Sequence, residues 1–355
     1  MARVVVVGGG YGGTTVAKAL DGVADVVLVE PRDAFQHNVA ALRALVSPDW
    51  TAKMFLPYDR LLSRGTVVRD RAARVAPDGV LLASGARLTA DYIVLATGSS
   101  YPFPAKADRL STVESLARYE AARAELSLAS RVLLLGAGAV GIELAGEIEA
   151  AFPTTRVTVV DPAPEILPGP YSQALRDALR TQLGATLVLG SPLVAPPPVP
   201  AGVYQPFEVA TVDGRAIGAD IFFRCNGLTP VTGYLTGSLA AARSVDGYLS
   251  VTPSLNVVGC AGVYAVGDIV AGDANRVSVA RAQAEVVAAN ISAALGAGAP
   301  TVYAPLPPTI VLPLGPLGGA GQRPDGELVP ASVVSQVKGT DMFLARYHEL
   351  FNLAP

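Results

Sequence analysis

The apolar pattern opens with a short run, Val4–Val7, that feeds a six-residue loop, Gly8-Gly9-Gly10-Tyr11-Gly12-Gly13. Mixed positions from about Thr14 to Leu20 predict a helix, and a second apolar run, Val26–Val29, ends on Glu30. Short apolar runs bounded by turn residues read as buried strands. Ala40–Ser47 predicts a short helix. Thr66–Val68 and Val80–Leu82, set among turn signals at Pro77-Asp78-Gly79 and Ser84-Gly85, predict strands of a small hairpin layer. Tyr92–Leu95 predicts a buried strand ending in Ala96-Thr97-Gly98. Leu110–Leu126 predicts a helix with Glu114, Arg118, Glu120, Arg123 and Glu125 on its polar positions.

The opening pattern then returns. Val132–Leu135 feeds Gly136-Ala137-Gly138-Ala139-Val140-Gly141, Ile142–Ala151 predicts a helix, and Val157–Val160 ends on Asp161. LTADYIVLATG (Leu88–Gly98) is matched by IGADIFFRCNG (Ile217–Gly227). Gly8 and Gly136 are 128 positions apart, Glu30 and Asp161 131, Asp91 and Asp220 129, Gly98 and Gly227 129. Four landmarks at nearly one offset indicate two copies of one module. After them, Gly262–Val270 predicts a short strand ending on Gly267-Asp268. Val277–Leu295 predicts a deeply buried helix whose position implies a return to the first module. The tail holds strand-like Thr309–Leu312 and Ser332–Val337 and an amphipathic helix, Asp341–Phe351. Ala195–Pro200 and Ala304–Pro316 are proline-rich and predict surface connections.

Strand, glycine turn, helix, strand and acid is the order of a dinucleotide-binding βαβ unit. Gly8 and Gly136 allow the tight turn, and Gly10 and Gly138 let backbone approach a pyrophosphate. Gly13 and Gly141 let the helix pack on the strand. The helix N-terminus, with free N–H groups, faces the phosphates. Glu30 and Asp161 are placed to accept from ribose hydroxyls, and Asp161 predicts NADH, with NADPH second. Two modules require two nucleotides. The fold class is therefore α/β.

Composition narrows the choices. With 355 residues, 51% hydrophobic and 16% charged, the chain is a folded protein of two to three domains. A net charge of −3 leaves no electrostatic footprint for nucleic acid. Cys225 and Cys260 are distant, read as buried small hydrophobes, and suit a reducing, cytoplasmic setting. With His37 and His348 as the only histidines, no metal site is expected. The first strand begins at Arg3, which leaves no room for a signal peptide, and no apolar stretch reaches membrane-spanning length. Peripheral membrane contact and oligomeric state stay open.

The two glycine-rich units, the Ala96-Thr97-Gly98 segment and the late Gly267-Asp268 together resemble the two-dinucleotide-binding-domain flavoproteins of the pyridine nucleotide-disulfide oxidoreductase superfamily. Within them, Phe35–Val46, Ala52–Asp59, Ala96–Lys106 and the tail Gln336–Phe351 are similar to apoptosis-inducing-factor-like proteins of the ferroptosis-suppressor type. That resemblance implies two Rossmann-like domains in a glutathione-reductase-like arrangement plus a small α+β C-terminal domain. Residues 1–105 and 245–299 would bind FAD, 106–244 NAD(P)H, and 300–355 would form the interface and acceptor site. It implies NAD(P)H:quinone oxidoreduction, the cofactors carrying the chemistry.

The resemblance also implies site residues. Tyr11, Gly12, Thr97, Gly98, Gly267 and Asp268 would hold FAD, and Asn226 and Gly227 would border NADH by duplication. Lys53 would meet FAD unless it is an exposed lysine. Glu143 would lie near the nicotinamide ribose and Lys338 near flavin and quinone. His37 and Asn38 are near-flavin candidates, and Phe343, Tyr347 and Phe351 either line an apolar acceptor mouth or form helix core. Two departures matter: the chain begins Met1-Ala2, so the Met-Gly lipid-anchor signal is missing, and no cysteine pair follows Glu30, so dithiol chemistry is not expected. The leading expectation is an FAD-dependent NADH oxidoreductase with a quinone-like or other small organic acceptor. The alternatives are a biosynthetic tailoring flavoenzyme using O2 or a metabolite, an NADH:ferredoxin-type reductase, and a non-catalytic flavoprotein.

Overall fold

The computed structural model describes residues 1–274 and 276–354, so residue 355 of the tail lies outside it. The first module is β1 (Arg3–Val7), α1 (Tyr11–Leu20), β2 (Asp25–Val29), β3 (Thr66–Val68) and β4 (Tyr92–Leu95). The second is β5 (Arg131–Leu135), α2 (Ala139–Ala151), β6 (Arg156–Asp161), β7 (Thr186–Leu189) and β8 (Ile221–Arg224). The chain then passes through β9 (Val263–Ala265) and α3 (Val277–Ala294). It ends in β10 (Ile310–Leu314), β11 (Gly318–Gln322), β12 (Leu328–Val329) and α4 (Leu344–Leu350).

Two parallel sheets result, in the orders β9-β4-β1-β2-β3 and β7-β6-β5-β8. The sequence repeat is a structural repeat. β1 lies between β2 and β4 as β5 lies between β6 and β8. The repeated aspartates act alike: Asp91 accepts from the Arg3 amide at 2.7 Å and Asp220 from the Arg131 amide at 2.9 Å. Parallel strands need both faces covered, which is why their runs are apolar throughout. Val4–Val7 and Val132–Leu134 are buried. Two short strands, Ser99–Ser100 and Thr229–Pro230, pair antiparallel where the chain leaves the first sheet and returns toward it.

Four expectations are corrected. Thr66–Val68 is the edge strand of the first parallel sheet, paired with β2. Val80–Leu82 does lie in a small hairpin layer, an antiparallel sheet with Ala72–Ala76 and Arg87–Leu88. A three-residue alternating strand carries no sign of which sheet it joins. Ser332–Val337 is helical, over Ala331–Val334 and a π-turn at Ser335–Gly339. Its valines suggest a strand, but Pro330 starts a helix and β11 already has partners on both edges. The proline-rich 304–316 stretch is not all connection, because Pro313 lies in β10 opposite Gly319. Finally, α3 buries one face, including Ala280, Ala284, Val287 and Ile291, and leaves Ser278 and Glu285 exposed.

The tail sheet lies on α2. A side chain at Gly146 would meet the Leu314 Cα at 2.6 Å, so glycine there lets β10 approach. Arg43, on the helix Ala41–Val46, fixes this junction from below. Its guanidinium pairs with Glu147 of α2 through Nε and, at 2.7 Å, through Nη2, and its Nη1 donates to the Gly339 carbonyl at 3.0 Å. Both side chains are buried.

Candidate functional site

A cavity of about 580 Å³ runs over the carboxyl ends of β1 and β2 and past Gly267-Asp268. It is where ligands settle in open parallel sheets. Gly8 has φ +108°, and a Cβ there would lie 2.4 Å from the Ala96 carbonyl oxygen. A Cβ at Gly13 would lie 1.8 Å from the Gly8 carbonyl oxygen. Gly10, at the N-cap of α1, faces no protein atom within 4 Å, so the space beside it is free for a phosphate. The buried Glu30 accepts from the Gly9 amide at 2.7 Å and the Arg32 amide at 3.0 Å. Tyr11 and Gly12 also line the cavity, with Thr97 and Gly98.

Asp268 is held from two sides. Ser99 Oγ donates to its Oδ2 at 2.5 Å and Lys106 Nζ lies 3.2 Å from the same atom. Burial lowers the Lys106 pKa, while Asp268 pulls it back up. Lys106 lines the cavity and is a residue of its wall that sequence reasoning passed over. Its only signal is that it closes the Ala96–Lys106 segment. Gly267 donates its amide to Gln283 of α3 at 2.7 Å. Thr97 Oγ1 donates to the Val231 carbonyl at 2.6 Å.

The second module repeats the cradle. Gly136 has φ +120°, a Cβ at Gly141 would lie 1.8 Å from the Gly136 carbonyl oxygen, and Gly138 faces free space. Asp161 accepts from the amides of Ala137 at 2.6 Å and Ala163 at 2.7 Å, as Glu30 does from Gly9 and Arg32. Asn226 and Gly227 are exposed beside this turn.

A third space, of about 490 Å³, is mainly apolar and brings together residues far apart in sequence. Ala139 and Glu143 come from α2, and Ile310, Lys338, Phe343 and Tyr347 from the tail. Lys338 Nζ lies 3.0 Å from Glu143 Oε2, and both side chains are mostly buried. Neighbouring residues Asn38 and Val39 line the first cavity and this pocket respectively. The wall between them is aromatic. Tyr347 lies edge-on to Tyr11 at 5.2 Å and stacks on Phe35 at 5.5 Å. Met342 and Phe343 take left-handed backbone, φ +51° and +61°, just before α4 begins, and Phe343 lines the pocket.

His37 is wholly buried in that wall. Its Nε2 meets the Met342 carbonyl at 2.7 Å and its Nδ1 the Tyr11 hydroxyl at 3.2 Å. Burial pulls its pKa down to about 4, so it is neutral at pH 7. Phe351 is fully buried against Phe35 and Tyr58, in the core and not on the pocket. Lys53 is not brought to the cavity either. It is exposed, with its ammonium 5.5 Å from the Trp50 ring centroid.

The cavity fits FAD. Besides the free space at Gly10, the buried Asn38 Oδ1 and Arg32 Nε on its lining have no protein partner. A polar ligand in the cavity would satisfy them. Both cysteines are buried and unpaired, and burial pushes the Cys225 thiol up to about 12. Among the described residues no cluster of metal-ligating side chains occurs.

The sequence profile of the pyridine nucleotide-disulphide oxidoreductases matches residues 2–284. The chain belongs to this family. It is an oxidoreductase chain of the flavoprotein, pyridine-nucleotide-dependent kind, with the two-Rossmann fold. It is similar to ferroptosis suppressor protein 1 of Taeniopygia guttata, 31% identical over 97% of this chain and 94% of that one. Apoptosis-inducing factor homolog A of Dictyostelium discoideum is 26% identical over 99% and 92%. The sulfide:quinone oxidoreductase of Aquifex aeolicus shares the fold, with a TM-score of 0.78 and 17% identity, over 99% of this chain and 92% of that one. No helix among the described residues is long and apolar enough to cross a membrane.

Proposed function

We propose that this chain is an FAD-dependent NADH oxidoreductase that passes electrons to a quinone-like small organic acceptor. In this reading residues 1–105 and 245–299 hold FAD, 106–244 hold NADH, and 300–355 cover the acceptor site. The observation that carries it is the Lys338–Glu143 pair in an apolar pocket walled from the first cavity by Tyr11 and Tyr347. Bound FAD would supply the two-electron chemistry. The chain's own groups bind and orient. Glu30 and Asp161 hold the turns that would carry the two nucleotides. The apolar lining excludes water, and the Lys338 ammonium would offset negative charge developing on a quinone oxygen. Glu143 keeps that ammonium in place.

Single-turnover kinetics test this. Reduction by NADH and reoxidation by a quinone are followed separately by flavin absorbance. Lys338→Ala is expected to slow reoxidation at least tenfold, about 1.4 kcal/mol of barrier. It also strands the buried Glu143, so reduction slows as well. Adding Glu143→Gln to Lys338→Ala should relieve the effect on reduction without restoring reoxidation. If Lys338→Ala slows neither step, the acceptor lies elsewhere.

Asp161 sets the nucleotide preference. A 2′-phosphate would face its carboxylate, and Pro162, Ala163 and Pro164 supply no cation. NADH should therefore exceed NADPH in kcat/KM, and Asp161→Ala should narrow the gap by about tenfold. Equal or better use of NADPH by the unmodified chain would refute the assignment.

A further inference from the structure

The acceptor pocket carries charge that the reaction as proposed leaves unused. Lys338 is matched by Glu143, the only carboxylate among the described residues lining the pocket. The same lining includes Arg276, Arg281 and Arg346. Arg276 is engaged in structure: its Nη1 donates to the Thr309 carbonyl at 2.6 Å and to Thr309 Oγ1 at 3.1 Å, pinning the strap that leads into β10. Arg281 and Arg346 are different.

They come from two helices, α3 and α4, and line the same pocket as Tyr347. Burial pushes the Tyr347 hydroxyl up to about 12, and both guanidiniums pull against that shift. Arg281 touches Glu285 at 3.4 Å, but both side chains are substantially exposed, at 37% and 63%. Such a pair is weak. Arg346 forms no ion pair among the described residues. The chain as a whole has net charge −3, so this gathering does not reflect a basic protein. Like charges lining one mainly apolar pocket repel, and an anion bound there offsets the penalty. Guanidiniums are also the groups best shaped for an oxyanion.

We propose that the pocket takes an acceptor with an apolar reacting ring and an anionic substituent, a carboxylate-bearing quinone in class, whose oxyanion is held by Arg281 and Arg346. This rests on the acceptor reading of the pocket. The ring lies among Val39, Ile310 and Phe343 toward Lys338, and the anion stays at the mouth, where Arg346 is exposed. No charge need be buried deeply, which keeps desolvation small.

The test uses the FAD-loaded enzyme, NADH and two benzoquinones with side chains of equal length, one ending in methyl and one in carboxylate. The charge sits off the ring, so the two have closely similar potentials. The carboxylate should be preferred about tenfold in kcat/KM at low ionic strength, and the preference should shrink as salt rises. Arg281→Gln with Arg346→Gln should bring the ratio close to one. A ratio is read, so a general loss of activity cancels. Turnover of both quinones with a wild-type ratio of one or less overturns the inference and leaves the acceptor reading standing. A preference that survives the double substitution overturns it too. Reduction of FAD by NADH with turnover of neither quinone removes the acceptor reading and this inference together. A ratio of one, with Arg281- and Arg346-dependent sedimentation on phosphatidylglycerol vesicles, assigns the arginines to a lipid surface and also overturns it.

Discussion

Gly10→Ala is expected to give a folded but colourless protein. Gly10 has ordinary extended backbone, φ −77° and ψ −166°, and an added Cβ meets no protein atom within 4 Å. The polypeptide therefore tolerates alanine. The methyl group instead projects into the 580 Å³ cavity at the N-terminus of α1, where a pyrophosphate would take its amide hydrogen bonds. Each bond between a charged group and an amide contributes about 1.5–3 kcal/mol. Losing one or two should weaken FAD binding by about a hundredfold, or roughly 2.7 kcal/mol. The thermal midpoint should match that of the wild-type apoprotein, below the holoprotein, because only the ligand's contribution is lost.

Gly13→Ala makes the contrast. Its Cβ would fall 1.8 Å from the Gly8 carbonyl oxygen, so α1 must shift and the apoprotein itself should be destabilised. Gly138→Ala is the matched control in the second module: flavin should remain, and the Kd for NADH should rise. Absorbance at the flavin bands after gel filtration and calorimetry of NADH binding read all three. Full yellow colour in Gly10→Ala would mean that this cavity does not hold FAD.

The contrast shows why the cradles were legible in sequence. Close approach and a positive φ each admit almost only glycine, so Gly8, Gly13, Gly136 and Gly141 stand at fixed spacings that can be read without a fold. The acids at the ends of β2 and β6 are legible for the same reason, since each caps its own turn. The Lys338–Glu143 contact was not legible as a pair. Each residue stands out separately in the sequence, and only the fold of the tail onto α2 brings them together across 195 positions. Lys106, Arg281 and Arg346 carried no spacing signal, and their environments come from three different elements. Ser332–Val337 reads as a strand from its β-branched composition, a weak preference that tertiary context overrides in the helix Ala331–Val334.

Arg43→Met should cost about 3–5 kcal/mol of stability, the usual penalty for stranding one partner of a buried pair. Glu147 sits one turn after Glu143 on α2, buried, with its carboxylate paired to Arg43 and within the influence of Glu143 and Lys338. Burial already raises its pKa, and the guanidinium is the main influence pulling it down. Without Arg43, burial and the Glu143 charge are opposed only by the weaker pull of Lys338, so the folded-state pKa rises further above the unfolded value. A raised carboxyl pKa means that the native state holds more protons than the unfolded state between the two values. Stability of Arg43→Met should then increase as pH falls from neutral into that window, the reverse of an ordinary paired carboxylate. Arg43→Met with Glu147→Leu removes both charges and should recover most of the loss. The double variant still lacks the donor to the Gly339 carbonyl, next to Lys338. If that bond fixes where the ammonium points, the double variant should regain its urea midpoint yet reoxidise with quinone more slowly than wild type. Recovery of both would make the pair purely structural, and an Arg43→Met variant as stable as wild type at pH 7 would contradict the burial of the pair.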